Sequence, residues 1–212
     1  YDYFPKQDEP LHTEWNVHFG YNSPSFLRCA AIIGENGAGK TRISWSMMRD
    51  LLKKGLPNFN HTPLYKCCIA ICSTPLDGYE ELMCEREDIT YYPCSLEQDR
   101  TRTEERLREA MSEILNGPMV NSKQMVERYY DLLKEHLQDV IEGLVHKEEN
   151  KNNPREPKFS YDWNRLTEIV STMSSGQLHI FSLITYICAK IHFSSLLVID
   201  EPEVHLHPHF MM

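Results

Sequence analysis

Apolar residues along the 212-residue chain fall into a few runs whose spacing separates strand-like from helix-like stretches. Residues 26–33 (FLRCAAII), 64–72 (LYKCCIAIC) and 195–199 (SLLVI) are short apolar runs flanked by turn formers or a polar strand end. Such runs predict strands buried on both faces. Helical spacing marks 103–115, through Leu107, Met111, Ile114 and Leu115, closed by Gly117-Pro118. A second helical pattern covers 122–146, with apolar residues at Val126, Tyr129, Leu133, Leu137, Val140, Ile141 and Leu144. Residues 177–192 are apolar nearly throughout and predict a buried helix, and 40–54 predict another that stops at Gly55. Residues 1–25 predict loops or short edge strands, and the charged, proline-bearing stretch 146–158 (HKEENKNNPREPK) a flexible loop. The order strand, helix, strand, helical stretch, helix, strand predicts an α/β domain interrupted by an α-helical arm.

Chemistry enters at 34–41 (GENGAGKT), between the first predicted strand and the first predicted helix. Gly34, Gly39, Lys40 and Thr41 complete the pattern G-x-x-x-x-G-K-[ST], with Gly37 adding backbone freedom. Phosphates need several backbone N–H groups converging on them, and glycines let the chain curl that closely. The helix behind the loop aims its positive end at the same point. The span Gly34, Glu35, Asn36, Gly37, Ala38, Gly39, Lys40, Thr41 and Arg42 is therefore the candidate ATP-binding segment. Lys40 is placed for the β- and γ-phosphates, and Thr41 for Mg²⁺.

The partner motif is 195–209 (SLLVIDEPEVHLHPH), where an apolar run ends in Asp200 and Glu201. Ligands of open α/β sheets collect at the carboxyl ends of strands. Asp200 is the residue type that holds Mg²⁺, and Glu201 the type that polarises a water for attack on the γ-phosphate. A third element, 171–177 (STMSSGQ), reads by itself as a helix start capped by Ser174 or Ser175.

Together these motifs resemble the ABC-type ATPases, with Met173-Ser174-Ser175-Gly176-Gln177 as a variant of their signature loop. The ending I-D-E-P-E-x-H-L-H-P is similar to AAA-type ATPases of the overcoming-lysogenisation and SMC-like families. Many of those are anti-phage defence ATPases, including Septu-type and retron-associated ones. The resemblance implies a P-loop NTPase fold, ABC-ATPase-like, with a helical insertion. It also implies ATP and Mg²⁺ as ligands, and ATP hydrolysis shared by two copies. Ser174, Ser175, Gly176 and Gln177 of one copy would then face the γ-phosphate held by the other, giving a homodimer or higher homo-oligomer that gates an effector outside the chain. Domain bounds follow as 1–100 with the phosphate loop, 101–160 as the helical insertion and flexible loop, and 161–212 with the signature helix and acidic strand end.

Some family parts have no clear counterpart. Gln98 is the nearest candidate for the glutamine expected after the second strand. The chain ends at Met212, ahead of the strand expected to carry a switch histidine, and begins at Tyr1 without an initiator Met, as a truncated or processed fragment would. His205, His207 and His209 share a face of any extended segment; the resemblance assigns them a structural or interface role rather than a metal. Trp15, Phe19 and Tyr21 are candidates for stacking on adenine.

Composition narrows the classes. No apolar run reaches the length of a membrane span, and 1–15 lacks the apolar core of a secretory signal. Seven scattered cysteines without C-x₂-C spacing fit buried free thiols in a reducing cytoplasm. A net charge of −9 argues against a nucleic-acid footprint over the whole surface, while leaving room for a local basic stripe. Arg100, Arg102, Arg106 and Arg108 alternate with acids, which reads as a solvated helix face with i,i+4 ion pairs. The leading reading is an ATPase module gating an effector in anti-phage defence. The alternatives are a scaffold that hydrolyses ATP slowly or not at all, and an SMC-like DNA-repair ATPase, for which the helical stretch is short.

Overall fold

The computed structural model describes residues 32–33, 35, 37–55, 65–73, 77–95, 99–116, 122–148, 158–192 and 194–201. Its elements are α1 (Lys40–Leu52), β1 (Cys67–Cys72), a 3₁₀ turn (Tyr79–Glu81), β2 (Thr90–Ser95), α2 (Arg100–Asn116), α3 (Ser122–Ile141), β3 (Val145–Glu148), β4 (Lys158–Tyr161), α4 (Trp163–Thr172), α5 (Ser175–Lys190) and β5 (Ser195–Asp200). They form two compact units, one holding α1, β1, β2 and β5, the other α2–α5 with β3 and β4. The stretch 101–116 and the segment carrying α4 and α5 thus share one unit.

In the first unit β1 lies between β2 and β5, parallel to both. Every residue of β1 is buried, as its unbroken apolar run requires. Register brings Ser95, Cys72 and Asp200 side by side at the carboxyl ends of the three strands. Burial along β5 alternates, so Leu196, Val198 and Asp200 point inward while Ile199 is 37% exposed. The period-2 pattern, more than the continuous apolar run, sets the direction of Asp200. Met47, Met48, Leu51 and Leu52 of α1 pack in one cluster with Cys68, Ala70, Cys72, Leu196 and Val198. The same helical stripe carries Ser44 and, one turn earlier, Thr41, which directs both toward the strand ends.

The second unit packs α2, α3, α4 and α5 around Leu107, Met111, Tyr129, Leu133, Leu166, Ile169 and Phe181. Asp162 caps α4 by accepting from the N–H groups of Asn164 and Arg165. The helix predicted over 122–146 ends at Ile141, and a turn with Gly143 at φ 80° leads into β3. A left-handed residue at that point suits only glycine at low cost. β3 pairs antiparallel with β4, so strands flank 149–157 where a loop was expected over 146–158. Within α3 the backbone departs from helical geometry at Leu137 (φ −139°, ψ 33°).

Of the strand predicted over 26–33, residues 26–31 lie outside the described residues, and Ile32 and Ile33 belong to no strand, Ile33 being 85% exposed. The arginine run is also less solvated than its alternating charges imply. Arg108 does make the i,i+4 pair with Glu104 at 2.7 Å, but it also donates to Trp163 O and Thr167 Oγ1. Arg100 donates to the carbonyls of Val170 and Met173 at the end of α4. Two of the four arginines therefore fasten α2 to α4.

Candidate nucleotide-binding site

The glycine loop enters α1 through two left-handed glycines, Gly37 (φ 84°) and Gly39 (φ 89°). A side chain there would cost about 1–2 kcal/mol per position. Ala38 N–H closes the turn onto Glu35 O at 3.1 Å, and Lys40 Nζ donates to the same carbonyl at 3.2 Å. α1 begins with no side-chain cap and no acid in its first turn. Its leading N–H groups and positive dipole end are thereby directed at the loop, the arrangement that suits an anion. Arg42 is exposed on the first turn. Gly34 and Asn36 lie outside the described residues.

Across the sheet end, Thr41 Oγ1 donates to Asp200 Oδ1 at 3.2 Å, although 159 residues separate them in sequence. The other carboxylate oxygen is engaged as well: the hydroxyl of Tyr79 stands 3.1 Å from Asp200 Oδ2 and 2.8 Å from Ser44 Oγ, placed to donate to either. Ser44 Oγ donates in turn to the carbonyl of Lys40 or Thr41, each 3.1 Å away. Burial pushes the Tyr79 phenol pKa well upward, so the hydroxyl keeps its proton. Neither Tyr79 nor Ser44 was legible as part of this site in the sequence. Ser44 left a faint signal, a polar residue on the apolar stripe of α1; Tyr79 left none.

At the neighbouring strand end, Ser73 Oγ donates to the backbone carbonyl of Glu201 at 2.8 Å. Glu201 takes a left-handed φ of 51°, a conformation a non-glycine residue holds only when its surroundings fix it. Cys72, level with Asp200, has its thiol pKa pushed up to about 11 by burial. It is a packed neutral thiol rather than a nucleophile. Gln98, the histidines His205, His207 and His209, and the aromatics Trp15, Phe19 and Tyr21 lie outside the described residues.

The serine–glycine loop belongs to the helical unit. Ser174 is the cap of α5: its side chain accepts from Gln177 N–H at 3.2 Å, while Gln177 Oε1 accepts from Ser174 N–H at 3.1 Å. This reciprocal box occupies Ser174 and Gln177. Ser175 and Gly176 follow as the first helical positions, where no intrahelical carbonyl can take the N–H groups. One of the two Arg100 contacts ends at Met173 O, next to this cap.

The donor set at the sheet end, one hydroxyl and one carboxylate, is of the hard-oxygen kind that suits Mg²⁺. Among the described residues no group of three or more His, Cys, Asp or Glu forms a metal cluster. Nor is any helix among them long and apolar enough to cross a membrane.

A glycine loop opening a helix, with that helix's hydroxyl on a carboxylate at the end of a parallel strand, marks an α/β fold of the P-loop NTPase class. The chain belongs to the family described as "AAA domain, putative AbiEii toxin, Type IV TA system", whose model matches residues 98–212, more than half of the chain. It is an ATP-binding P-loop module, and the matched region includes Ser174–Gln177, Asp200 and Glu201. No curated protein and no solved structure matches the chain.

Proposed function

We propose that this module binds ATP with Mg²⁺ at the α1–β5 end of the sheet, hydrolyses it between two copies, and so gates an effector in anti-phage defence in the cytoplasm. The observation that carries the reading is the 3.2 Å contact of Thr41 with Asp200, which unites the two motifs beside the glycine loop. Thr41 and Asp200 would hold the metal, which supplies positive charge against the phosphate oxygens. The remaining steps belong to the chain itself. The N–H groups of the loop and the start of α1 bind the phosphates, and Lys40 exchanges the carbonyl of Glu35 for the β- and γ-phosphate oxygens. Glu201 orients a water and accepts its proton as it attacks the γ-phosphate. Ser175 and Gly176 of the second copy supply N–H groups to that phosphate's outer side. The family description, which names a toxin of a toxin–antitoxin system, supports a role in cellular defence.

The test is a fluorescent ATP analogue titrated into the protein while ATP-dependent size is followed by analytical ultracentrifugation. Lys40→Ala should lose analogue binding, and with it any size shift. Ser175→Arg should keep binding and lose only the shift, because a bulky cation fills the γ-phosphate's place between copies. Undiminished affinity in Lys40→Ala removes the loop as the nucleotide site; a wild type whose size ATP never alters removes the shared site.

A further inference from the structure

A buried tyrosine stands beside the carboxylate at the strand end and takes no direct part in binding or hydrolysis of the nucleotide. Tyr79 is fully buried, 121 residues from Asp200 in sequence, with its hydroxyl 3.1 Å from the carboxylate oxygen that Thr41 leaves uncovered. We propose that Tyr79 is a positioning residue for Asp200, holding Oδ2 so that Oδ1 stays turned toward Thr41 for a divalent cation that arrives with nucleotide. The inference rests on the nucleotide-binding reading and deepens it.

Asp200 has a hydroxyl within reach of each carboxylate oxygen. Thr41 Oγ1 reaches Asp200 Oδ1, and Asp200 Oδ2 reaches the Tyr79 hydroxyl. That hydroxyl reaches Ser44 Oγ, which returns to the carbonyl of Lys40 or Thr41. A carboxylate held at one oxygen can turn about its terminal bond, whereas one held at both cannot. With Thr41 donating to Oδ1 and Tyr79 to Oδ2, the plane of Asp200 is fixed relative to the start of α1, where the metal-facing hydroxyl also sits. Such hydrogen bonds to a charged acceptor are about twice as strong as neutral ones.

The turn that carries Tyr79 is held at three successive residues. Trp45 Nε1 of α1 donates to the carbonyl of Gly78 at 3.1 Å, the Tyr91 hydroxyl of β2 donates to Tyr79 O at 2.8 Å, and Ser95 N–H donates to Glu80 Oε1 at 3.3 Å. The 3₁₀ turn is thus tied to the helix and to the outer strand at once, and the phenol cannot follow a rotating carboxylate. A tyrosine present only to fill the core would need its aromatic ring and no carboxylate beside its hydroxyl. The hydroxyl is the part that the geometry accounts for by the site alone.

The experiment titrates Mg²⁺ against binding of a fluorescent ATP analogue to the full chain, with a parallel titration in EDTA. Removing only the phenolic oxygen in Tyr79→Phe should raise the Mg²⁺ midpoint about tenfold, the scale of a hydrogen bond to a charged group, and leave affinity in EDTA as in wild type. Ser44→Ala removes the other acceptor open to the phenol's single proton, so it should leave the midpoint in place or lower it slightly. Mn²⁺ binding to Tyr79→Phe in the presence of ADP, read by electron paramagnetic resonance, should weaken in parallel with no turnover involved. An unmoved or lowered midpoint in Tyr79→Phe overturns the inference, as does a midpoint raised about tenfold in Ser44→Ala, or an equal loss with and without metal, which marks a purely structural role. A wild type lacking any Mg²⁺ dependence overturns the functional reading and this inference together. Normal wild-type dependence with an unaltered Tyr79→Phe overturns this inference alone.

Discussion

The two units bury polar groups in different ways. In the sheet unit Ser44, Ser73, Ser95 and Asp200 are buried together at the strand ends or on the α1 stripe facing them, while Ser46 and Asp50 are buried further along α1, Asp50 paired with Arg49. The helical unit buries Thr103, His179, Ser182 and Thr185 singly along helices whose cores are aliphatic and aromatic. There Thr185 donates to Phe181 O one turn back and meets the Tyr129 hydroxyl at 2.9 Å, a local arrangement with no charged member. A buried polar group costs stability unless it is paired, so a cluster of them at one place needs a reason. In the sheet unit that reason is a site; in the helical unit Thr103 and Thr185 are satisfied within a turn or by one neighbour, and the Ser182 hydroxyl is buried without a partner among the described residues. The charged polar contacts of the helical unit lie elsewhere, among them the Arg100 and Arg108 clips and the Lys190–Glu113 pair.

This difference predicts which substitutions move stability and which move chemistry. The largest effect belongs to the helical core. Leu133 is fully buried there, and Leu133→Ala should destabilise by about 2–5 kcal/mol. Denaturant unfolding measures this. The protein that remains folded should bind nucleotide with wild-type affinity, since the sheet unit has its own core. A matching loss of affinity in the folded fraction would break the separation of the two units. The next effect is chemical. Glu201→Gln preserves shape and hydrogen bonding and leaves the unfolding midpoint in place, but turnover should fall by about a hundredfold or more. Steady-state phosphate release with saturating ATP reads this, and wild-type turnover would exclude Glu201 as the group acting on water.

Legibility in the sequence follows the same division. The glycine loop, α1, β1 and β5 were readable because each is a short pattern with a single physical solution, a phosphate-type turn or an apolar run. β2 was missed: TYYPCS (90–95) is half-exposed over its first four residues and carries Pro93, which usually argues against a strand. Pro93 is tolerated because β2 is an outer strand of the three, where a missing N–H need not break a ladder. α4 was missed because its apolar positions, Leu166, Ile169 and Val170, span barely one turn after a charged stretch. The end of α3 was misread since Leu144 and Val145 continue the helical spacing from a turn and a strand. In the site, Thr41 and Asp200 were readable from motifs, while Tyr79 was not. Its role depends on a contact across 121 residues, and no local pattern encodes that.

The smallest effect sharpens the comparison at the helical unit's polar end. Ser174 accepts from Gln177 N–H and its own N–H is taken by Gln177 Oε1, so both ends of the box serve α5. Ser174→Ala removes the accepting hydroxyl and leaves one N–H of the first turn uncovered, at a cost of about 1 kcal/mol. Ser174→Asp restores an acceptor and should recover that loss, because a carboxylate at the cap also suits the positive end of the helix. A denaturant midpoint measured for both variants decides whether the hydroxyl acts as a cap. The aspartate also separates structure from chemistry. A negative charge beside Ser175 and Gly176 should repel any anion those N–H groups bind, so recovered stability with lost ATP-dependent turnover would assign the cap to folding and the next two residues to phosphate. Recovery of both would leave the start of α5 as a helix terminus and nothing more.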